Sequence, residues 1–283
     1  MKNRDKSMKQ TDLENCKALR KRIFTVAYSG GMGHLASCFS AVEIIYTLIV
    51  KGAMKCDSKN PTFVNRDRFV LSKGHGGLAL YTALEMAGFI SKEDVDSYLK
   101  ENAVIGGEPN IGDTVGIEAS TGSLGHGLSM AVGMAIAQKI DGKGARTFCL
   151  IGDGESQEGT IWEAAMAASS FELENLVGIL DCNALQKSSR IDETMKYISW
   201  EEKWKAFGWN VIVCDGHDVD ELYKAFTTLP SNGKPTIVIA NTIKGKGVSI
   251  MEGIAKWHFK MPNKKELKVI LEELEISENE LEI

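Results

Sequence analysis

Several features are scarce in this chain of 283 residues, and each scarcity excludes something. Only five prolines occur, and no proline- or serine-rich linker breaks the sequence, so the expectation is a single domain over 1–283. No apolar run approaches the roughly 18 residues of a membrane span. The start, Met1-Lys2-Asn3-Arg4-Asp5-Lys6, leads into polar residues rather than the apolar core of a signal peptide. The six cysteines (Cys16, Cys38, Cys56, Cys149, Cys182, Cys214) form no C-x-x-C pair, which speaks against a zinc site or disulfide framework and for thiols in a reducing cytoplasm. Basic residues are not in excess: 33 Lys+Arg against 38 Asp+Glu leave a net charge of −5, so neither nucleic acid nor a membrane is the expected partner. No internal repeat or low-complexity segment appears. What remains is globular in character, 43% hydrophobic and 25% charged, and long enough for a substantial core.

The first ten residues read as a loose arm. Thr11-Asp12-Leu13-Glu14 fits a capping box, and Leu13, Cys16, Leu19, Ile23 and Val26 follow at helical spacing. A second helix is expected over Ala41–Ile49, starting at another box, Ser40-Ala41-Val42-Glu43. Short β-rich runs then alternate with helical patterns. Strands are expected at 68–72, 147–151, 176–180, 209–213 and 236–240, with helices from Gly77 and over 124–139, 157–170 and 219–229. Strands that are nearly all apolar and separated by helices imply an α/β fold: a doubly wound, mostly parallel sheet covered by helices on both faces. Ligands of such sheets bind beyond the carboxyl ends of the strands. Three clusters stand there: Lys73-Gly74-His75-Gly76-Gly77, Gly152-Asp153-Gly154-Glu155 and Asp181-Cys182-Asn183. Residues 263–283 read as an acidic, amphipathic helical tail with a solvated face.

The cluster at Gly152 is the most informative. Its two glycines let the backbone approach a ligand closely, and the helix after them points N–H groups at it, which suits a diphosphate. Asp153 offers a hard oxygen to a divalent cation bridging phosphate oxygens. Asn183 follows 30 positions later, about one strand–helix–strand unit, so the two should lie at neighbouring strand ends. Asn183 can then add its side-chain carbonyl and Leu185 a backbone carbonyl to the same Mg2+ or Ca2+. Separately, a Gly-Asp-Gly turn and an Asn after a strand are commonplace. Together, at this spacing, they point to a metal–diphosphate site.

Gly152-Asp153-Gly154 followed by Asn183 resembles the thiamin diphosphate motif. Gly154-Glu155-Ser156-Gln157-Glu158-Gly159, Trp162-Glu163-Ala164-Ala165, Asn183-Ala184-Leu185-Gln186, Ser29–His34, Ser72–Gly76, Gly116–Gly125 and Ile243-Lys244-Gly245-Lys246-Gly247 resemble transketolase in particular. The resemblance runs from about residue 12 to His258 and covers only the N-terminal, diphosphate-binding domain, as in the separately encoded N-terminal subunits of many prokaryotes. It implies thiamin diphosphate as cofactor and a metal held by Asp153, Asn183 and Leu185. Gly154, Glu155, Asn183 and Lys244 are then expected at the cofactor, with Gly122 and Leu124 against its rings. His34, His75 and His258 match sugar-binding and proton-transfer positions, His75 and His258 also touching the cofactor. An imidazole suits that work because it titrates near neutrality. Glu158 and Glu163 match interface glutamates that couple two active sites, although carboxylates at a helix start also serve its dipole. His126 is expected in the loop over the cofactor, and His217 at the surface or as a cap.

The implied activity is transfer of a two-carbon ketol unit from a ketose (phosphate) donor to an aldose (phosphate) acceptor. The cofactor carries the chemistry and the protein positions it. One departure bears on the donor: Gly107-Glu108-Pro109-Asn110 stands where transketolases usually read Gly-His-Pro-Glu. Either the donor differs or a neighbouring residue compensates for the lost histidine. The resemblance contains no pyrimidine-binding domain, so it implies a separate C-terminal partner subunit, joined in an α2β2 heterotetramer in the cytoplasm. The α subunit of a 2-oxo-acid dehydrogenase shares the Gly-Asp-Gly…Asn scheme, and a non-catalytic diphosphate-binding module is the other alternative.

Overall fold

Five short runs dominated by apolar and β-branched residues become the strands of one sheet. In the computed structural model, which describes residues 2–142, 144–187, 189–196 and 199–281, these are β1 (Arg68–Leu71), β2 (Thr147–Gly152), β3 (Leu176–Cys182), β4 (Asn210–Asp215) and β5 (Thr236–Asn241). All pairs are parallel and the spatial order is β1-β2-β3-β5-β4. The register sets Leu71 beside Leu150, Gly152 beside Asp181, and Cys182 beside Asn241, so the carboxyl ends of the four adjacent strands form one edge.

The helices are α1 (Lys2–Ser29), α2 (Leu35–Ser40), α3 (Val42–Ile49), α4 (Gly77–Met86), α5 (Lys92–Asp96) and α6 (His126–Asp141). They continue with α7 (Gly159–Ser170), α8 (Ile191–Thr194), α9 (Trp200–Ala206), α10 (Val219–Thr227) and α11 (Lys264–Glu273). Side chains alternate across a strand, and both faces of the sheet are used. Phe148, Leu150, Val177 and Ile179 join Ile23, Phe39, Ile45, Leu80 and Phe226 in a core beneath α1–α4 and α10. Cys149, Ile151, Leu176 and Leu180 join Leu128, Ala165 and Trp204 in a second core beneath α6, α7 and α9. The doubly wound α/β architecture is therefore present.

Local expectations needed correction in four places. Residues 2–10 are not a loose arm but the first turns of α1, because they contain no glycine or proline and consist mostly of residues that tolerate a helix. Thr11–Glu14 thus lies inside the helix, and Glu14 accepts from Gln10 one turn back (2.8 Å). Cys16, Leu19, Ile23 and Val26 are buried as expected, whereas Leu13 is exposed. The box at Ser40 does not form: Ser40 donates its hydroxyl to Asp181 (2.7 Å), Glu43 faces Arg20, and Ala41 keeps helical dihedrals between α2 and α3. The C-terminal tail contains the expected helix, capped by Asn263, but it is anchored as well as solvated. Ile270, Leu271, Leu274 and Ile276 are buried, and Lys17 and Lys21 of α1 pair with Glu275 and Glu280.

Candidate active site

The floor beneath the strand ends is a buried ion pair. Lys73, two residues past β1, donates to Asp181 near the end of β3, and both side chains are almost wholly enclosed. Asp181 also accepts from Ser40 of α2 and from Thr242 after β5, while Lys73 reaches the Ser37 carbonyl (3.2 Å). Burial raises the Asp181 carboxyl, but Lys73 and the hydroxyl donors outweigh it and hold the group below its ordinary range. Neither residue had a role at the sequence level; the signal available was a charged residue at the end of each of two apolar runs.

Above that floor, Asp153 ties two strand ends together. It is 1% exposed; its Oδ1 accepts from the Gly154 N–H (2.8 Å) and its Oδ2 from the Ala184 N–H (2.5 Å). The second bond crosses from β2 to the segment after β3 on which Asn183 and Leu185 lie. Ala184 turns the chain there with φ +62°, and Asn183 Oδ1 accepts from the Leu185 N–H (3.1 Å). Burial first, and the neighbouring Asp181 charge second, push the Asp153 carboxyl up to about 7. Among the described residues no lysine or arginine pairs with it. A buried carboxylate in that condition, bonded to the segment that carries the Asn183 amide and the Leu185 carbonyl, fits a hard divalent cation, which takes oxygen ligands.

The Glu155 carboxylate is taken up by protein donors. Its Oε1 accepts from the Ser72 hydroxyl and the Gly125 N–H (2.9 Å), and its Oε2 from the Gly152 N–H (2.9 Å). The carboxylate is buried and turned inward, bracing the ends of β1 and β2 against the start of α6; a second anion would repel it. Gly154 stays close to the site, where an added Cβ would lie 3.1 Å from the Gln186 side chain. Gly122 adopts φ +134°, and a Cβ there would fall 1.9 Å from a carboxylate oxygen of Glu108, which places the unusual glutamate directly against the Gly122–Gly125 loop. Leu124 is exposed above it, and His126 opens α6 from the solvent side.

The three histidines converge. Ring centroids of His34 and His75 lie 5.2 Å apart, His34 and His258 5.2 Å, and His75 and His258 5.3 Å; Phe259, not anticipated, packs on His34 at 4.7 Å. Burial, followed by the charges of Lys244 and Lys73, lowers His34 to about 4. Burial and Lys244 lower His258 to about 3, and His75 is depressed for the same kind of reason. All three are neutral imidazoles near pH 7. Lys244 donates to His258 Nδ1 (3.0 Å) and to the carbonyls of Leu185 (3.4 Å) and Gln186 (3.3 Å). Burial first, then Lys73, brings its ammonium down to about 8. Uncharged proton acceptors thus stand in a field of buried lysines, an arrangement that favours an anion carrying transferable protons.

Glu158 occupies the cap position of α7 without a capping hydrogen bond from its side chain, and both it and Glu163 are exposed. His217 is neither a surface residue nor a cap. Asp218 caps α10, while His217 is half-buried between Glu43 and the segment after β5.

Residues 14–282 match the family described as transketolase, thiamine diphosphate binding domain. The chain is 42% identical over 256 residues to a subunit of the apulose-4-phosphate transketolase of Phocaeicola vulgatus, covering 90% of each chain. It is 40% identical over 271 residues to a 6-deoxy-6-sulfo-D-fructose transketolase subunit of a Clostridium species, covering 95% of this chain and 98% of that one. Among solved structures, transketolase from Campylobacter jejuni superposes with a TM-score of 0.87 at 30% identity; the match covers 97% of this chain but only 44% of the longer one.

Proposed function

Because the chain belongs to the transketolase family, as its thiamin diphosphate-binding domain, we propose that it is the N-terminal subunit of a two-chain transketolase. It would move a two-carbon ketol unit from a ketose (phosphate) donor to an aldose (phosphate) acceptor. The observation that carries this reading is the meeting of the Asp153–Asn183–Leu185 oxygen set with three neutral histidines and Lys244 on one sheet edge.

Thiamin diphosphate supplies, when bound, a carbon able to take up and release the ketol fragment. Asp153, Asn183 and Leu185 would hold Mg2+ or Ca2+, with the Gly154 backbone and Lys244 near the diphosphate charge. Gly122 and Leu124 would lie toward the rings. His34, His75 and His258, uncharged at pH 7, accept and return protons at the sugar hydroxyls and carbonyl oxygen. Glu108, beside Gly122, sets the donor end apart from a site that presents a histidine there.

A separate pyrimidine-binding subunit completes the site in an α2β2 assembly. The two relatives above are themselves named as subunits, which supports that division. The six cysteines, all unpaired thiols, support a reducing cytoplasm; among the described residues no helix is long and apolar enough to cross a membrane.

The test is a coupled assay with ketose phosphate donors, aldose acceptors, thiamin diphosphate and Mg2+, run with this chain, its candidate partner and the two mixed. Ketol transfer by the mixture alone is expected. Transfer by the chain alone would refute the divided site, and turnover of 2-oxo acids with a lipoyl acceptor would refute the reaction class.

A further inference from the structure

Lys244 lies on a segment that leaves β5 and needs to be held still, since its ammonium is buried and bonded to three separate acceptors. Its backbone neighbours are pinned one after another. Thr242 donates its hydroxyl to Asp181, and the Gly245 N–H donates to the Ala36 carbonyl (2.9 Å). Between them, the Ile243 N–H donates to Nε2 of His217 (2.8 Å). Nε2 must therefore be the unprotonated nitrogen, so the proton sits on Nδ1, 2.9 Å from Glu43 Oε2. Glu43 is itself gripped by both terminal nitrogens of Arg20 at 2.7 Å, inside the core.

The approach that creates this contact is built into the chain. Gly216 donates its N–H to the Asn241 carbonyl (2.8 Å), and a Cβ at Gly216 would meet Thr242 Cγ2 at 2.3 Å. Only a glycine lets the end of β4 lie this close to the end of β5. The next residue, His217, then reaches the first residues past β5 with a rigid ring whose two nitrogens face opposite ways.

We propose that His217 is a positioning residue for Lys244: its Nε2 fixes the Ile243 backbone, and its Nδ1–H anchors that hold to the Arg20–Glu43 pair. The proposal deepens the functional reading above, resting on it for the claim that Lys244 serves a diphosphate. The hydrogen bonds of the His217 ring go to Glu43 and to the Ile243 N–H, so its hold on Lys244 runs through the backbone.

Two conservative variants separate this role from mere filling of space. In His217→Gln the side-chain oxygen can take the place of Nε2 and still accept from Ile243. In His217→Asn the amide can replace Nδ1–H toward Glu43 but stops short of Ile243. The full-length chain is labelled with an amine-directed reagent, and the rate at Lys244 is read by mass spectrometry against exposed Lys205. Loss of this hydrogen bond predicts about fivefold faster labelling of Lys244 in His217→Asn, with His217→Gln within about twofold of the parent. Equal rates in His217→Asn and the parent would overturn the proposal, as would His217→Gln labelling as fast as His217→Asn. Protection of Lys244 by magnesium pyrophosphate in the parent chain tests the diphosphate reading separately. If that protection is absent the diphosphate reading fails, and the comparison of variants still decides the role of His217.

Discussion

At the residue scale, Asp153 and the histidine cluster pull in opposite directions on the chain's response to pH. The folded Asp153 carboxyl is raised to about 7 from an ordinary 3.8, so this group favours the folded state fully below pH 3.8. That contribution fades as pH rises through about 7, where the buried site must carry an uncompensated charge. A divalent cation replaces the proton there. Added Mg2+ with thiamin diphosphate should accordingly raise the melting temperature more at pH 8 than at pH 5.5. Asp153→Asn should abolish that difference and weaken magnesium-dependent cofactor affinity by about 100-fold or more, since outer-shell changes alone reach 10–100-fold; calorimetry on the assembled enzyme reads it. His34 and His258 behave the other way, lowered from 6.5 to about 4 and about 3 by burial and Lys244. Their contribution to stability is present above pH 6.5 and is lost as pH falls toward 4 and 3, because the unfolded chain takes up protons that the folded one refuses. Melting temperatures measured from pH 7 down to 4 should fall less steeply in His34→Asn than in the parent, and an unchanged slope would count against the burial of that imidazole.

Between elements, the site is held by side chains that never face it. Glu155 satisfies donors from the end of β1, the start of α6 and the end of β2 with one buried carboxylate. In Glu155→Gln, an NH2 group would face a donor it cannot accept from, and the cost should be about 1–3 kcal/mol in urea denaturation; a change below about 0.5 kcal/mol, the size typical of surface substitutions, would show that the brace is dispensable. This layer explains what could be read from the sequence and what could not. The strands and their parallel arrangement were legible, because short, nearly continuous apolar runs separated by helical patterns are local properties. The convergence of His34, His75 and His258 was legible only through resemblance, since nothing local places residues so far apart in one cluster. The inward turn of Glu155, the burial of Lys73 and Asp181, and the double hydrogen bond of His217 were not legible. Each depends on which donor a fold of 283 residues delivers from elsewhere in the chain. The boxes at Thr11 and Ser40 misled for the same reason: a cap is a local preference, and a continuous helix or a stronger tertiary partner overrides it.

Taken as a whole, the molecule has its enclosed face and an outer face that looks unfinished. Along α6, Met130, Gly133, Ala137 and Ile140 recur at helical spacing and are exposed, Ile140 at 80%. Met166 on the neighbouring α7 is 55% exposed and Phe171 beyond its end 57%. A Cβ added at Gly133 would meet nothing within 4 Å, so the stripe is open to close approach by another backbone. Isolated apolar residues on a surface need no explanation, but exposed apolar residues at helical spacing with small residues among them favour a protein neighbour. The band also adjoins the site: α6 follows the Gly122–Gly125 loop, and α7 follows the turn that carries Asp153. A second copy of this chain seated on the band would link these two loops in both protomers through two helices, an arrangement open to the proposed α2β2 assembly. The chain should then sediment as a dimer. Met130→Lys combined with Met166→Lys, both on the exposed band and outside the site, should shift it to a monomer with an unchanged far-ultraviolet spectrum, because burying two ammonium groups at such a contact is strongly unfavourable. A double variant that stays dimeric would assign the contact to another face, and a parent chain that stays monomeric at tens of micromolar would show that two copies do not pair through this band unaided.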